Sequence, residues 1–260
     1  MAYEKILYEL VEDVAFIRMN DPATLNAVST QMGEEVLAAL WRGEKEARAI
    51  VLGSVGRGFC SGANLAEGGF DLSDPNRDIG GRLDGVFNPI VYQMRASQVP
   101  VVTAVRGAAA GVGCGIALAG DMIVAGDAAA FIMAFRNVGL ASDGGASYFL
   151  TRAIGRVRAM EMMLLGKKLP SATALEWGLI NRVVPEEEVD AAALALAKQL
   201  AEGPRSLGII KKVAWAALDA AFETALSNER VAQRDAGRTD DFIEGVAAFR
   251  ERRPARFSGR

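Results

Sequence analysis

Between Pro100 and Ala125 the chain has little freedom in how it can fold. Pro100-Val-Val-Thr-Ala-Val105 and Asp121-Met-Ile-Val-Ala125 are short apolar runs without clean alternation, the signature of buried strands. Between them Gly111 to Ala119 is built of small residues and reads as a tightly packed helix. Ala49-Ile-Val-Leu-Gly53 adds another buried strand, and repeated strand and helix units define an α/β core.

The flanking segments fit this frame. Residues 5 to 19 predict two strands around a Glu12-Asp13 turn. Asn26 to Trp41 carries a helical pattern that starts near Ser29, with Met32, Val36, Leu37 and Leu40 along one face. A loop follows from Ser54 to Ala66, and residues 67 to 81, rich in Gly, Asp, Asn and Pro, are the expected mobile segment or lid. After about residue 155 the pattern is mostly helical, over Arg156 to Leu165, Glu186 to Leu200, Ser206 to Glu229 and Asp240 to Arg252. One short strand, Ile180 to Val184, interrupts it, and few buried polar residues are expected in this third.

Composition narrows the function. At 260 residues, 51% apolar and 23% charged, the chain fits one large domain or a domain with a helical appendage. A net charge of -3 argues against general nucleic-acid binding. The arginine-rich end, Arg250 to Arg260, reads as a solvated helix end, and Lys211 and Lys212 as surface residues. Cys60 and Cys114 are too few for a disulfide scaffold or a four-ligand zinc site, and read as small buried packing residues of a reduced compartment. No segment resembles a signal peptide or a membrane span, so a cytoplasmic protein is expected.

The chain contains no histidine. Acid-base work near neutral pH must therefore fall to carboxylates, lysines, tyrosines or backbone dipoles. Asp143, in Val138-Gly-Leu-Ala-Ser-Asp-Gly-Gly-Ala-Ser147, is the leading candidate; its alternative is an ordinary Asp-Gly turn or helix N-cap. Two small-residue loops after buried strands, Phe59-Cys-Ser-Gly-Ala-Asn-Leu65 and Arg106 to Gly115, let a ligand approach the backbone. The second leads into a helix whose first N–H groups lack intrahelical partners, suiting it to an anion or polarised carbonyl. Its glycines also fit two other readings: plain helix-strand packing, or a dinucleotide fingerprint at Gly107, Gly111 and Gly113. The mid-chain position weakens the latter, as does Arg152 in place of a lysine four residues after Tyr148.

Taken together, Leu25-Asn-Ala27, Phe59 to Leu65, Ala104-Val-Arg-Gly107 with Gly111-Val-Gly-Cys114, Gly139 to Gly145, Ala172 to Leu179 and Asp241 to Phe249 resemble the crotonase superfamily, the enoyl-CoA hydratases and isomerases. The resemblance implies an α/β fold, a crotonase-like spiral of strand-strand-helix units over residues 1–199 with a C-terminal helical region over 200–260. It further implies a homotrimer or homohexamer built through those helices, an acyl-CoA thioester as ligand, and no cofactor or metal beyond the coenzyme A of the substrate. By resemblance the thioester oxygen is held by the N–H groups of Ala63 and Val112, where Val112 replaces a more usual glycine. Ser61, Ala63, Asn64 and Leu65 are then expected around the CoA, with Phe257 covering CoA bound to a neighbouring subunit.

The two glutamates of the hydratases correspond to Gly115 and Phe135, so a simple hydratase is disfavoured. Asp143 stands where the phenylacetate-pathway type of isomerase carries one aspartate. One carboxylate suffices for an allylic shift: it takes a proton from the gamma carbon of a 3-enoyl thioester and returns it to the alpha carbon while the oxyanion hole holds the dienolate. A raised pKa is expected from Phe131, Met133, Phe135 and Leu140 nearby. The alternatives are a hydratase, hydrolase or dehalogenase using a further carboxylate such as Glu67, Asp71 or Asp74, and a non-catalytic acyl-CoA-binding or RNA-associated scaffold. The dehalogenase route lacks the histidine that would activate water.

Overall fold

The computed structural model describes residues 3–67 and 71–260. The chain opens with the expected hairpin, β1 (Ile6–Val11) and β2 (Val14–Met19), paired antiparallel. α1 (Thr30–Glu46) follows, capped by Ser29, whose hydroxyl accepts from Met32 N at 3.1 Å. Met32, Val36, Ala39 and Leu40 bury one of its faces.

From β3 (Ala49–Ser54) the chain winds through three similar turns. The first runs from β3 through the segment 59–64 to a π-helical turn, Leu83–Phe87, and α2 (Asn88–Ala96). The second is β4 (Val101–Val105), β5 (Ala108–Ala110) and α3 (Val112–Leu118). The third is β6 (Met122–Gly126), β7 (Ala130–Ile132), then α4 (Ala146–Ala153) and α5 (Gly155–Leu165). After these come β8 (Lys168–Pro170), α6 (Ser171–Glu176), β9 (Arg182–Val184) and α7 (Val189–Ala201).

The first strand of each turn joins one sheet of order β1-β2-β3-β4-β6-β9, parallel beyond the hairpin. Second strands join a smaller sheet, β5-β7-β8. Both faces of the large sheet are covered, which is why its strands read as unbroken apolar runs. In β3, Ile50 and Leu52 face the main core, while Ala49 and Val51 pack with Val189, Ala193, Leu196 and Ala197 of α7.

Three helices complete the chain: α8 (Ser206–Ala217), α9 (Phe222–Ala236) and α10 (Asp240–Glu251). The helical stretch expected from Ser206 to Glu229 is thus broken between Ala217 and Phe222. α7 ends at Ala201, so a division at 199/200 falls in its last turn.

Lys211 departs from the surface position its residue type suggests. It is 7% exposed, and its ammonium donates to Met94 O at 2.6 Å and pairs with Asp121 Oδ2 at 2.8 Å. Burial pushes its pKa below the ordinary value, and Asp121 opposes that shift. The same carboxylate accepts from Trp215 Nε1 at 2.9 Å, so α8 is fastened to the spiral by a buried polar knot. Asp241 is buried as well, so the helical third is richer in buried polar groups than its sequence suggests. Lys212 is exposed as expected.

Candidate active site

The two small-residue loops meet in parallel register. Cys60 bridges Ala109, with Cys60 N donating to Ala108 O at 3.1 Å and Ala110 N to Cys60 O at 2.8 Å. Continuing that register sets Gly62 beside Gly111, the residues just before Ala63 and Val112. A Cβ placed on Gly111 would lie 3.7 Å from Gly62 Cα, so the backbones approach closely. Gly111 has φ 54°, a left-handed conformation that turns the chain out of β5 into α3. Among the described residues neither Ala63 N nor Val112 N donates a hydrogen bond to a protein acceptor. Val112 N opens α3, at its positive end.

Side chains from elsewhere hold this arrangement. Asn26 is fully buried and donates through Nδ2 to Val55 O and Gly58 O, each at 2.9 Å. Val28 N donates to Gly62 O at 2.8 Å, and Asn64 N to Val28 O at 3.0 Å. The Leu25-Asn-Ala27 motif was the signal for this anchor, although its role needed the fold. Glu186 Oε1 accepts from Gly107 N at 2.6 Å and pins the turn before β5. Nothing in the acidic run Glu186–Glu188 marks that role in sequence.

Asp143 sits on the turn that leads into α4. Its Oδ1 is shielded from solvent and has no hydrogen-bond partner among the described residues. Burial pushes the carboxyl up to about 6. The Asp-Gly turn is held by backbone alone, Ala146 N donating to Asp143 O at 3.0 Å, and α4 begins at Gly145 without a side-chain cap. The carboxylate is therefore not engaged in capping. A Cβ on the adjoining Gly144 would lie 3.0 Å from Val112 Cγ2, so this turn rests on the start of α3. Phe131 and Met133 are fully buried and Phe135 nearly so, whereas Leu140 is 39% exposed and stays outside that apolar neighbourhood.

The other candidate residues are dispersed. Ser61 is exposed, its hydroxyl donating to Thr24 O at 2.8 Å. Asn64 is half-buried with Oδ1 accepting from Ala66 N at 3.1 Å, and Leu65 is exposed at the start of a short 3-10 turn. Phe257 lies against α10, near Gly245, and its carbonyl accepts from Arg48 Nη1 at 3.1 Å; this protomer does not bring it to Ser61–Leu65. It lines an apolar cavity of about 770 Å³ between α8, α9 and α10, together with Ile209, Val213, Phe242 and Phe249. No residue of the two loops or the aspartate turn reaches that cavity.

The lid expected over 67–81 falls partly on residues 68–70, outside the described residues. Glu67 accepts from Thr30 N at 2.9 Å and pairs with Arg82 at 2.8 Å. Asp71 accepts from Ser73 N and Asp74 from Asn76 N, so these carboxylates are held in local contacts. Gly115 lies in α3 and Phe135 in the 3-10 turn Ala134–Val138, and neither carries a carboxylate. Burial pushes the Cys60 and Cys114 thiols up to about 12, as befits packing residues. At the C-terminal end Arg253 pairs with Glu244 and Glu251, both at 2.6 Å. Among the described residues no helix is long and apolar enough to cross a membrane.

A spiral of strand-strand-helix turns followed by C-terminal helices is the architecture of the crotonase fold. The chain belongs to the enoyl-CoA hydratase/isomerase family, whose family model matches residues 9–260. It is 39% identical over 264 residues to a protein named "Probable enoyl-CoA hydratase" from Rhodobacter capsulatus, covering 100% of each chain. It is 38% identical over 260 residues to the 1,2-epoxyphenylacetyl-CoA isomerase of Escherichia coli, covering 99% of each. A solved structure of an enoyl-CoA hydratase/isomerase family protein from Mycobacterium abscessus superposes with a TM-score of 0.91 at 34% identity, covering 98% of this chain and 100% of that one. The protein is thus an acyl-CoA enzyme of this family.

Proposed function

We propose that this family member is an enoyl-CoA isomerase that moves a 3-enoyl double bond to the 2-position through Asp143. The observation that carries the reading is the Asp143 carboxylate, with a shielded oxygen that has no partner among the described residues, on a turn whose Gly144 packs against Val112. Relatives with hydratase and isomerase names are equally similar to this chain, so the chemistry of the site has to separate the two. Hydration calls for groups that position and deprotonate water. Gly115 and Phe135 cannot do this, and Glu67, Asp71 and Asp74 are tied elsewhere.

In a 3-enoyl thioester the acidic hydrogens are on C2, between the carbonyl and the double bond. Ionised Asp143 takes a proton from C2, and the electron pair spreads over the dienolate to the thioester oxygen. The N–H groups of Ala63 and Val112 hold that oxygen; loss of one such donor in comparable sites costs about 3–4 kcal/mol. Protonated Asp143 then delivers the proton to C4, the C3–C4 double bond becomes single and C2–C3 becomes double. This is the reverse of the gamma-to-alpha order assigned from sequence, because C4 of the substrate is vinylic and far less acidic than C2.

Assembly as a trimer or dimer of trimers belongs to the same proposal. Its support is the apolar cavity between the C-terminal helices and the exposed Phe222, Ile243 and Phe249. Ser61, Asn64 and Leu65 are assigned to the CoA, and Phe257 to CoA of a neighbouring subunit. The Escherichia coli relative supports a role in phenylacetate-type catabolism.

Turnover of a 3-enoyl-CoA by the wild type and by Asp143→Asn tests the reading. Isomerisation by the wild type, lost in the variant with thioester binding retained, is expected. Unchanged turnover by the variant rejects it, and binding without turnover of any acyl-CoA favours a scaffold.

A further inference from the structure

Gly115 and Val112 lie one turn apart on the same face of α3, and the Asp143 turn rests on both. A Cβ added at Gly115 would overlap the Gly144 carbonyl oxygen and lie 2.8 Å from its carbon and 3.1 Å from Gly144 Cα. Seen from the other side, a Cβ on Gly144 would lie 3.0 Å from Val112 Cγ2 and 3.4 Å from Val112 O. At Gly115 the three nearest atoms are all Gly144 backbone, so relief would require the turn itself to shift. Gly144 has φ 58°, a conformation that a side chain would also strain.

Hydrogen bonding does little to fix the turn. Among the described residues none of the backbone N–H groups of residues 141–145 donates a hydrogen bond; Leu140 N to Phe135 O, 3.0 Å, is the last before it and Ala146 N to Asp143 O the next. Close packing against α3 is left to set where the turn stands. Asp143 is the residue immediately before Gly144, so where its backbone stands relative to α3 follows from how closely Gly144 approaches Gly115.

We infer that Gly115 is a positioning residue: by carrying no side chain it lets the Gly144 carbonyl seat on α3, which places Asp143 for proton transfer beside Val112 N. The inference rests on the isomerase reading above. It makes Gly115 more than a position without an acid, since any side chain there displaces the base.

Gly115→Ala tests this with steady-state kinetics on a 3-enoyl-CoA across pH. The expected result is a kcat lowered on the order of 10- to 100-fold, the effect of roughly 1 Å of misplacement, with KM little changed. The acid limb of kcat/KM also moves below its wild-type position, because a lifted turn returns Asp143 to water. In an Asp143→Asn background the added Gly115→Ala causes no further loss of residual turnover. Should Gly115→Ala fail to fold, Val112→Ala serves instead: it removes the Cγ2 support, keeps the N–H, and lowers kcat by less with the limb moved the same way. Wild-type kcat and acid limb in the folded variant overturn the inference, as does an equal further loss in the Asp143→Asn background. If Asp143→Asn itself retains full turnover, the isomerase reading fails; if it is inactive while Gly115→Ala is unaltered, only the positioning role fails.

Discussion

Asp143 and Asp241 are both shielded carboxylates, and the molecule treats them in opposite ways. Asp241, at the start of α10, is 2% exposed and accepts from the backbone N–H groups of Arg205, Ser258 and Gly259 at 2.8, 2.6 and 2.9 Å. Burial acts to raise its pKa, but those donors outweigh it and hold the carboxyl below the ordinary value. Asp143 has a shielded oxygen and no donor among the described residues, so burial acts alone and lifts its carboxyl to about 6. Burial does not distinguish a structural acid from one poised for proton transfer. The number of N–H groups facing it does.

The largest test of that contrast is catalytic. Asp143→Asn should lower kcat on 3-enoyl-CoA by about 10²- to 10⁴-fold, the usual contribution of a general acid-base group, while Asp241→Asn stays within a few-fold of wild type. Next in size is Lys211→Ala, which strands Asp121 and should cost about 3–5 kcal/mol of stability in urea melts, leaving kcat of the folded fraction near wild type. Asp241→Asn should cost about 1.5–3 kcal/mol by the same measurement, since three backbone donors lose a charged acceptor.

The smallest effect has the opposite sign. The folded state holds the Asp143 proton more tightly than the unfolded state, so the wild type loses stability as pH rises from about 4 through about 6. Asp143→Asn lacks that penalty and should be more stable than wild type at pH 7. The shift corresponds to about 3 kcal/mol at most, discounted to about 1–2 kcal/mol for partial exposure. The gain should vanish below pH 4, which urea melts at pH 4 and pH 7 would reveal.

Much of the spiral is legible in the sequence because strands covered on both faces need unbroken apolar runs, as in Val101–Val105. The second sheet is not. β5, β7 and β8 are three residues each, too short to display a period. Asp143 could be singled out by its glycine-flanked loop and the missing histidines, whereas its lack of partners depends on how α3 and α4 pack. Lys211 was hidden for a different reason: the groups it contacts come from Met94, Val99 and Asp121, and lysine's usual exposure says nothing about such a pocket. The approach of Gly62 to Gly111 likewise follows from a Cys60–Ala109 bridge that no local pattern announces.

The most direct measurement is kcat/KM for a 3-enoyl-CoA from pH 4.5 to 8. Asp143 must be ionised to accept the C2 proton, so the rate should fall tenfold per pH unit on the acid side, with its midpoint near the carboxyl's value of about 6. A profile flat across pH 5 to 7, with Asp143→Asn equally active, would contradict the claim that this carboxylate carries the proton.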